Sequence, residues 1–316
     1  MQEVLTFGRY LKRKYKTKVY KIPISISGFT CPNIDGTVTK GGCTFCLNDS
    51  FSPNISTTKK RSYLHPSKDD PHTQIYLQEL QEQFIATKKR LQQKYGAKKF
   101  IVYFQSFTNT YAPLSTLQAL YEKALSFDDV VGLSIGTRTD CVDEDILRYL
   151  QKLSKDSEIW VEYGIQSIYD ETLQKINRGH DFENVKKWIG KTKEYGLNVC
   201  GHLIYGLPKE TQEMMLKSTQ AAYDLNIDSV KYHPLYVVKN TKLAKELEKG
   251  EFEPISVECY LDTLAKAVAL KPPSISVQRV SAGFDDDSLI APKWCRDNFL
   301  QMKDIRKRLQ QDGYIY

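Results

Sequence analysis

The chain of 316 residues has no apolar run long enough to span a bilayer, and its opening stretch, MQEVLTFGRYLKRKYKTKVYK, has none of the apolar core that a secretion signal needs. These two absences predict a cytoplasmic protein with no membrane partner. A regular, even set of cysteines is also missing: there are seven, unevenly spaced. In a reducing compartment that excludes a disulfide framework, and thiols that do cluster are better read as metal ligands. Short repeats and low-complexity tracts are absent as well. What is present is 41% hydrophobic residues, enough for one barrel-sized domain or a barrel with an extension. The net charge of +7 is concentrated at Arg9 to Lys21, Lys88 to Arg90 and Lys303 to Gln311. Such runs attract a polyanion such as RNA by releasing its counterions, or they are ordinary solvated helix faces.

Short β-branched or aromatic runs alternate with longer amphipathic ones. The strand-like runs are VYKIPISIS, KFIVYFQSF, VVGLSIGT, EIWVEYGIQS, NVCGHLIYG and DSVKYHPLY, at intervals of roughly 30 residues. Between them lie helical patterns such as Thr73 to Tyr95, stopped by Gly96, and DEDILRYLQKL with Asp143 placed to cap it. Repeated strand-helix alternation implies parallel strands with right-handed crossovers: an α/β fold, either a partial parallel (β/α)6 barrel or an open twisted sheet. Both geometries put the chemistry at the C-terminal ends of the strands. The expected organisation is an N-terminal basic extension (1–16), the barrel core (17–240) and a C-terminal α/β extension (241–316), the last containing one more strand, SISVQRV.

Immediately after the first strand, CPNIDGTVTKGGCTFC brings together Cys31, Cys43 and Cys46. A structural zinc site takes four ligands and usually pairs two CxxC knuckles, or a CxxC with spaced histidines. Only one knuckle is present here, and His65 and His72 do not stand at knuckle spacing. A cubane iron–sulfur cluster held by three thiolates leaves one iron open to a non-protein ligand, so the number three has a chemical use. Gly36, Gly41 and Gly42 would let the backbone wrap tightly around it. Zinc with a distant fourth ligand and unligated thiols remain the alternatives. Cys141, Cys200, Cys259 and Cys295 are scattered and read as core thiols.

The CX11CXXC spacing resembles the cluster motif of radical S-adenosylmethionine (SAM) enzymes, in the branch similar to the catalytic subunit of Elongator. YFQSFTNTYAPL, SIGTRTDC, VEYGIQS, INRGHDF, HLIYGLPKET, KYHPLYVVKNT and SAGFDDDSLIAPKWC follow in that family's order, and together resemble the YhcC-type family related to the YtqA group over nearly the full length. The resemblance implies a radical SAM partial barrel whose cofactors are a [4Fe-4S] cluster on the three cysteines and S-adenosyl-L-methionine. In VEYGIQS the period of two puts Glu162, Gly164 and Gln166 on one face, where a buried Glu162 requires a cation; Arg138 and Arg178 are the expected partners. By resemblance, Glu162, Gln166 and Arg178 become contacts for the ribose and methionine carboxylate, and Arg138 a cofactor or substrate contact. Gln105 and Asn109 replace the glycine-rich segment that binds the SAM amine in many relatives, and His202 is a further candidate for SAM or substrate. No residue is assigned to hydrogen abstraction itself.

The resemblance further implies an enzyme that reductively cleaves SAM to a 5′-deoxyadenosyl radical, fed by a low-potential electron donor such as flavodoxin or ferredoxin, with a tRNA wobble uridine as the expected substrate. A radical SAM enzyme acting on a small metabolite or peptide, and a non-catalytic metal-containing RNA-binding protein, are the competing expectations.

Overall fold

The computed structural model describes residues 1–47, 63–68, 70–282 and 287–316. Residues 283–286 of the C-terminal motif therefore lie outside the described residues. The central sheet has seven strands: β1 (Val19–Ile24), β2 (Lys99–Phe104), β3 (Val130–Thr137), β4 (Glu158–Gln166), β5 (Asn198–Tyr205), β6 (Ser229–Pro234) and β7 (Ser276–Arg279). They lie in chain order, every neighbouring pair parallel, as serial right-handed crossovers require. The partial barrel is thus as expected, with one more strand than six: the SISVQRV segment assigned to the extension joins the sheet as its seventh member.

Helices cover the outer face for reasons visible in their sequences. The helix Thr73–Tyr95 buries Tyr76, Leu80, Phe84 and Thr87, one stripe at helical spacing, and ends where Gly96 takes a left-handed φ of 60°. The helix Glu144–Ser154 begins at Asp143, whose side chain accepts from the Ile146 N–H at 2.8 Å.

The sheet curls far enough for its edge strands to communicate. Lys21 on β1 donates from Nζ to Gln278 Oε1 on β7 at 2.6 Å. Between these edges the N-terminal segment fills the seam, with the Val277 N–H donating to the Leu5 carbonyl at 2.8 Å. The helix Phe7–Tyr15 then plugs the barrel from below: Phe7 and Leu11 pack with Ile101, Trp160 and Cys200, all near the N-terminal ends of their strands. Buried Glu158 accepts from Tyr10 Oη at 2.8 Å and Trp160 Nε1 at 3.0 Å, and pairs with Lys14.

The structure places these basic runs and shows which of their charges are paired. The N-terminal basic run lies at the end opposite the strand termini that carry the cysteine loop; Arg9 and Arg13 pair with Glu3, Lys14 with Glu158, and Lys21 is inside the barrel, while Lys12, Lys16 and Lys18 are exposed. Lys88 pairs with Asp129, and Arg308 with Asp262 and Asp312. No helix among the described residues is long and apolar enough to cross a membrane.

At Gly132 the β3 and β4 backbones approach so closely that an added Cβ would stand 2.0 Å from the Glu158 carbonyl oxygen. Gly132→Ala is expected to cost about 1–3 kcal/mol, the usual scale of overpacking, read as a lower denaturation midpoint at unchanged m-value. A wild-type midpoint would show that the strands separate without penalty.

Candidate functional site

The loop that leaves β1 carries the three cysteines and is tied down by backbone and amide hydrogen bonds. Ile34 and Asp35 N–H groups donate to the Cys31 carbonyl at 2.7 and 3.1 Å, and the Cys46 N–H donates to the Cys43 carbonyl at 2.9 Å. Gly36, Gly41 and Gly42 hold φ values of 90°, 85° and 76°, which a side chain would strain. Two asparagines stitch this loop to the turn after β4. Buried Asn33 donates from Nδ2 to the carbonyls of Asn177 at 2.6 Å and Arg178 at 2.9 Å; Asn177 returns a bond to the Gly42 carbonyl at 2.7 Å.

That turn delivers Arg178 to the thiols. Its Nη1 lies 3.8 Å from Cys43 Sγ, and Nη2 donates to the Gly164 carbonyl at 2.9 Å. Arg138, from the end of β3, places Nη1 3.7 Å from Cys31 Sγ, and Asn33 Nδ2 lies 3.7 Å from Cys43 Sγ. Burial, with the Cys43 and Cys31 sulfurs close by, raises the Cys46 pKa, so these thiols as a bare set resist ionising together. A bound metal centre and the two guanidiniums supply the positive charge the thiolates need. Among the described residues, Glu162, Cys200 and His202 form the group whose metal-type donor atoms all lie within 4.8 Å of one another. Three thiol donors on one loop, with the Arg138 and Arg178 guanidiniums beside them, are a donor set whose chemistry fits a cluster with one open corner.

Below this loop, a cavity of about 600 Å³ opens into the barrel, lined by Cys31, Cys43 and Cys46 at one end and by Tyr103, Glu162, His202 and Lys231 at the other. Of the SAM-site candidates, Gln105, Arg138, Glu162, Gln166, Arg178 and His202 line it. Asn109 does not: it is fully buried, clamping its loop to β3 by donating from Nδ2 to the Gly136 carbonyl at 2.8 Å. Gln166, at a left-handed φ of 67°, folds back so that its Nε2 would stand 2.4 Å from a Cβ on Gly164, with Arg178 Nη2 beside it at 2.8 Å. The glycine makes room for both donors.

Glu162 does require a cation, but Arg138 and Arg178 are not what it has. Its Oε1 accepts from Lys21 Nζ at 2.5 Å and from Ser134 Oγ; Oε2 accepts from Lys231 Nζ and lies 2.9 Å from His202 Nε2. Lys231 also donates to Tyr103 Oη at 2.9 Å, and both ammoniums lie 4.5 Å from the Tyr103 ring centroid. Burial pushes the Glu162 pKa up, but Lys21 and Lys231 overcome it and hold the carboxylate well below its ordinary range. Burial lowers Lys21 to about 8, against the pull of Glu162. Burial, aided by Lys231, lowers His202 to about 4, leaving it neutral near pH 7. With two ammoniums already on the carboxylate, the Glu162, Cys200 and His202 group is a salt-bridge network and not a metal site. Lysines in the middle of VYKIPI and SVKYHP, out of character for strands of a buried parallel sheet, were the signal for these partners.

Residues 36–222 match the model of the radical SAM superfamily, and residues 227–311 that of the Radical_SAM C-terminal domain. The chain is 35% identical to YtqA of Bacillus subtilis (98% of this chain, 90% of that protein) and 35% identical to YhcC of Escherichia coli (97% and 92%). It is 33% identical to the tRNA uridine(34) acetyltransferase of Methanocaldococcus infernus over 48% of this chain and 28% of that protein. The solved structure of Elp3 from the same archaeon, with an N-terminal deletion, shares the fold, with a TM-score of 0.66 at 21% identity, over 93% of this chain and 63% of that one.

Removing the charge at Glu162 strands two buried ammoniums. Glu162→Gln is expected to cost about 3–5 kcal/mol in equilibrium unfolding, with part of the loss recovered in a Glu162→Gln/Lys231→Met double variant. Equal stability of Glu162→Gln and wild type would mean that the network is solvated. His202 gives a separate pH signature. Between pH 6.5 and about 4 the unfolded chain binds a proton there that the folded chain does not, so this residue erodes stability as pH falls. His202→Asn is expected to show a shallower acid limb in the pH dependence of unfolding; an unchanged limb would contradict the assignment.

Proposed function

The chain belongs to the radical SAM superfamily, and from that premise we propose that Cys31, Cys43 and Cys46 hold three corners of a [4Fe-4S] cluster, that SAM binds beside them, and that the enzyme modifies a tRNA wobble uridine. The cluster and SAM are the cofactors of this family; bound together and reduced, they supply a 5′-deoxyadenosyl radical for hydrogen abstraction. The chain's own residues orient SAM, exclude water and position the substrate.

One observation carries the SAM site: Arg178 Nε is buried with no hydrogen-bond partner, while Nη1 and Nη2 face Cys43 and the Gly164 carbonyl. A buried donor left unpaired costs about 1–3 kcal/mol, and more for a charged group, and because this guanidinium also lines the cavity beside the cysteines it supports a ligand acceptor there. The methionine carboxylate of SAM is such an acceptor, and a charge-assisted bond from the guanidinium suits it. Gln166, folded over Gly164 beside Arg178, then has a ribose or carboxylate oxygen within reach, and Gln105 faces the same cavity from the end of β2. Asn109 supports that loop from behind. Glu162, with both oxygens already engaged, holds the cavity floor together with His202, Lys231 and Tyr103.

Support for tRNA comes from the relatives, one of them a tRNA uridine(34) acetyltransferase. The N-terminal helix lies at the end opposite the cysteine loop, so RNA would approach at the other end. A low-potential donor such as flavodoxin or ferredoxin supplies the electron in this scheme.

Anaerobically reconstituted wild type is expected to be brown and to form 5′-deoxyadenosine from SAM and reductant, while Cys43→Ala loses the colour and the product. Arg178→Met, with its cluster intact, is expected to bind SAM at least about tenfold more weakly, the scale of one lost bond to a charged group. In tRNA nucleosides from a deletion strain, an altered wobble-uridine profile is expected. An unchanged profile overturns the tRNA assignment in favour of a small metabolite or peptide, and a colourless wild type that leaves SAM intact overturns the enzyme assignment.

A further inference from the structure

The two arginines that approach the cysteine sulfurs differ in what they leave free. Arg138 is 2% exposed and fully committed. Its Nε and Nη2 grip the two carboxylate oxygens of Asp140 at 2.8 and 2.6 Å, Nη2 also donates to the Arg178 carbonyl at 2.7 Å, and Nη1 lies 3.7 Å from Cys31 Sγ. Arg178, by contrast, keeps one buried donor open. A side chain with every nitrogen engaged has little to offer a diffusible ligand.

We infer that Arg138 is a positioning residue for the cluster and not a contact for SAM: its guanidinium, aimed by Asp140, donates to the Cys31 sulfur and raises the cluster's reduction potential. The inference rests on the cluster assignment above. A cubane core with three thiolates carries net negative charge, and adding an electron increases it. A buried cation against one of the sulfurs stabilises the reduced form more than the oxidised form, and hydrogen bonds to sulfur act in the same direction. Asp140 has two opposing effects. It fixes the fork of Arg138 through a bidentate pair, and its negative charge offsets part of the guanidinium's. Asp140 thus gives the position, and the difference between the two charges gives the potential.

Opposite signs follow for the two partners, which a purely structural role would not produce. In anaerobic redox titrations without SAM, Arg138→Gln is expected to lower the ratio of reduced to oxidised cluster about tenfold at a fixed poise, equivalent to about 59 mV for a one-electron couple. Asp140→Asn is expected to raise that ratio. A reconstituted Arg138→Gln cluster that titrates as wild type overturns the inference. Should Arg138→Gln fail to assemble a cluster, Asp140→Asn decides: an unchanged or lowered ratio overturns the inference and a raised ratio supports it. Wild type that takes up no iron overturns the cluster assignment and this inference with it, whereas a wild-type cluster with unshifted variants overturns this inference alone.

Discussion

One buried carboxylate organises the barrel. Glu162 sits at the middle of the central strand β4, 1% exposed, and draws cations from strands on both sides of the sheet: Lys21 from β1 and Lys231 from β6. Ser134 from β3 and His202 from β5 complete its shell. Lys21 also reaches Gln278 on β7, so the same ammonium links one edge of the open barrel to the other. An uncompensated ion in such a place would cost several kcal/mol. The strands must therefore curl until their lysines meet it. Curvature and electrostatic neutralisation are one constraint here, and the cavity above inherits its floor from it.

The upper end of the cavity follows a different logic. Its residues are held by backbone carbonyls and amide side chains, with Asn33 and Asn177 bonding the cysteine loop to the turn that presents Arg178. That turn lies beyond the helix Asp170–Lys175, and Arg178 reaches back from it to donate to the Gly164 carbonyl at 2.9 Å, so the strand carrying Glu162 also anchors the guanidinium beside the thiols. An added Cβ at Gly179 would stand 2.6 Å from Asn33 Oδ1, which shows how little room the joint leaves. The floor and the mouth thus both depend on β4, through Glu162 at its middle and the Gly164 carbonyl two residues on, and a disturbance of its register would reach both.

Much of the fold was legible because its patterns are local. Strand segments are marked by β-branched and aromatic runs, Asp143 caps its helix, and Gly96 ends another, each through contacts within a few residues. The seventh strand was harder: Ser276–Arg279 is short, follows two helices beyond the regular alternation, and joins the sheet through pairing with β6. The basic N-terminal run was legible as charge but not as location. Its cations pair with Glu3 and Glu158, the latter far away in sequence.

By itself the sequence determined the order of strands and helices, the cysteine spacing, and the need for a cation at Glu162, because periodicity, caps and the cost of burying a charge are properties of short segments. Only the tertiary structure decided which cations answer that need, which arginine keeps an open donor, and that Asn109 is buried behind the cavity-lining Gly136 carbonyl. Several cations of suitable charge occur along the chain, and charge alone does not choose among them. The choice is made by the curl of the sheet, which brings residues more than 60 positions apart within hydrogen-bonding distance and keeps others, equally suitable by type, at the opposite rim.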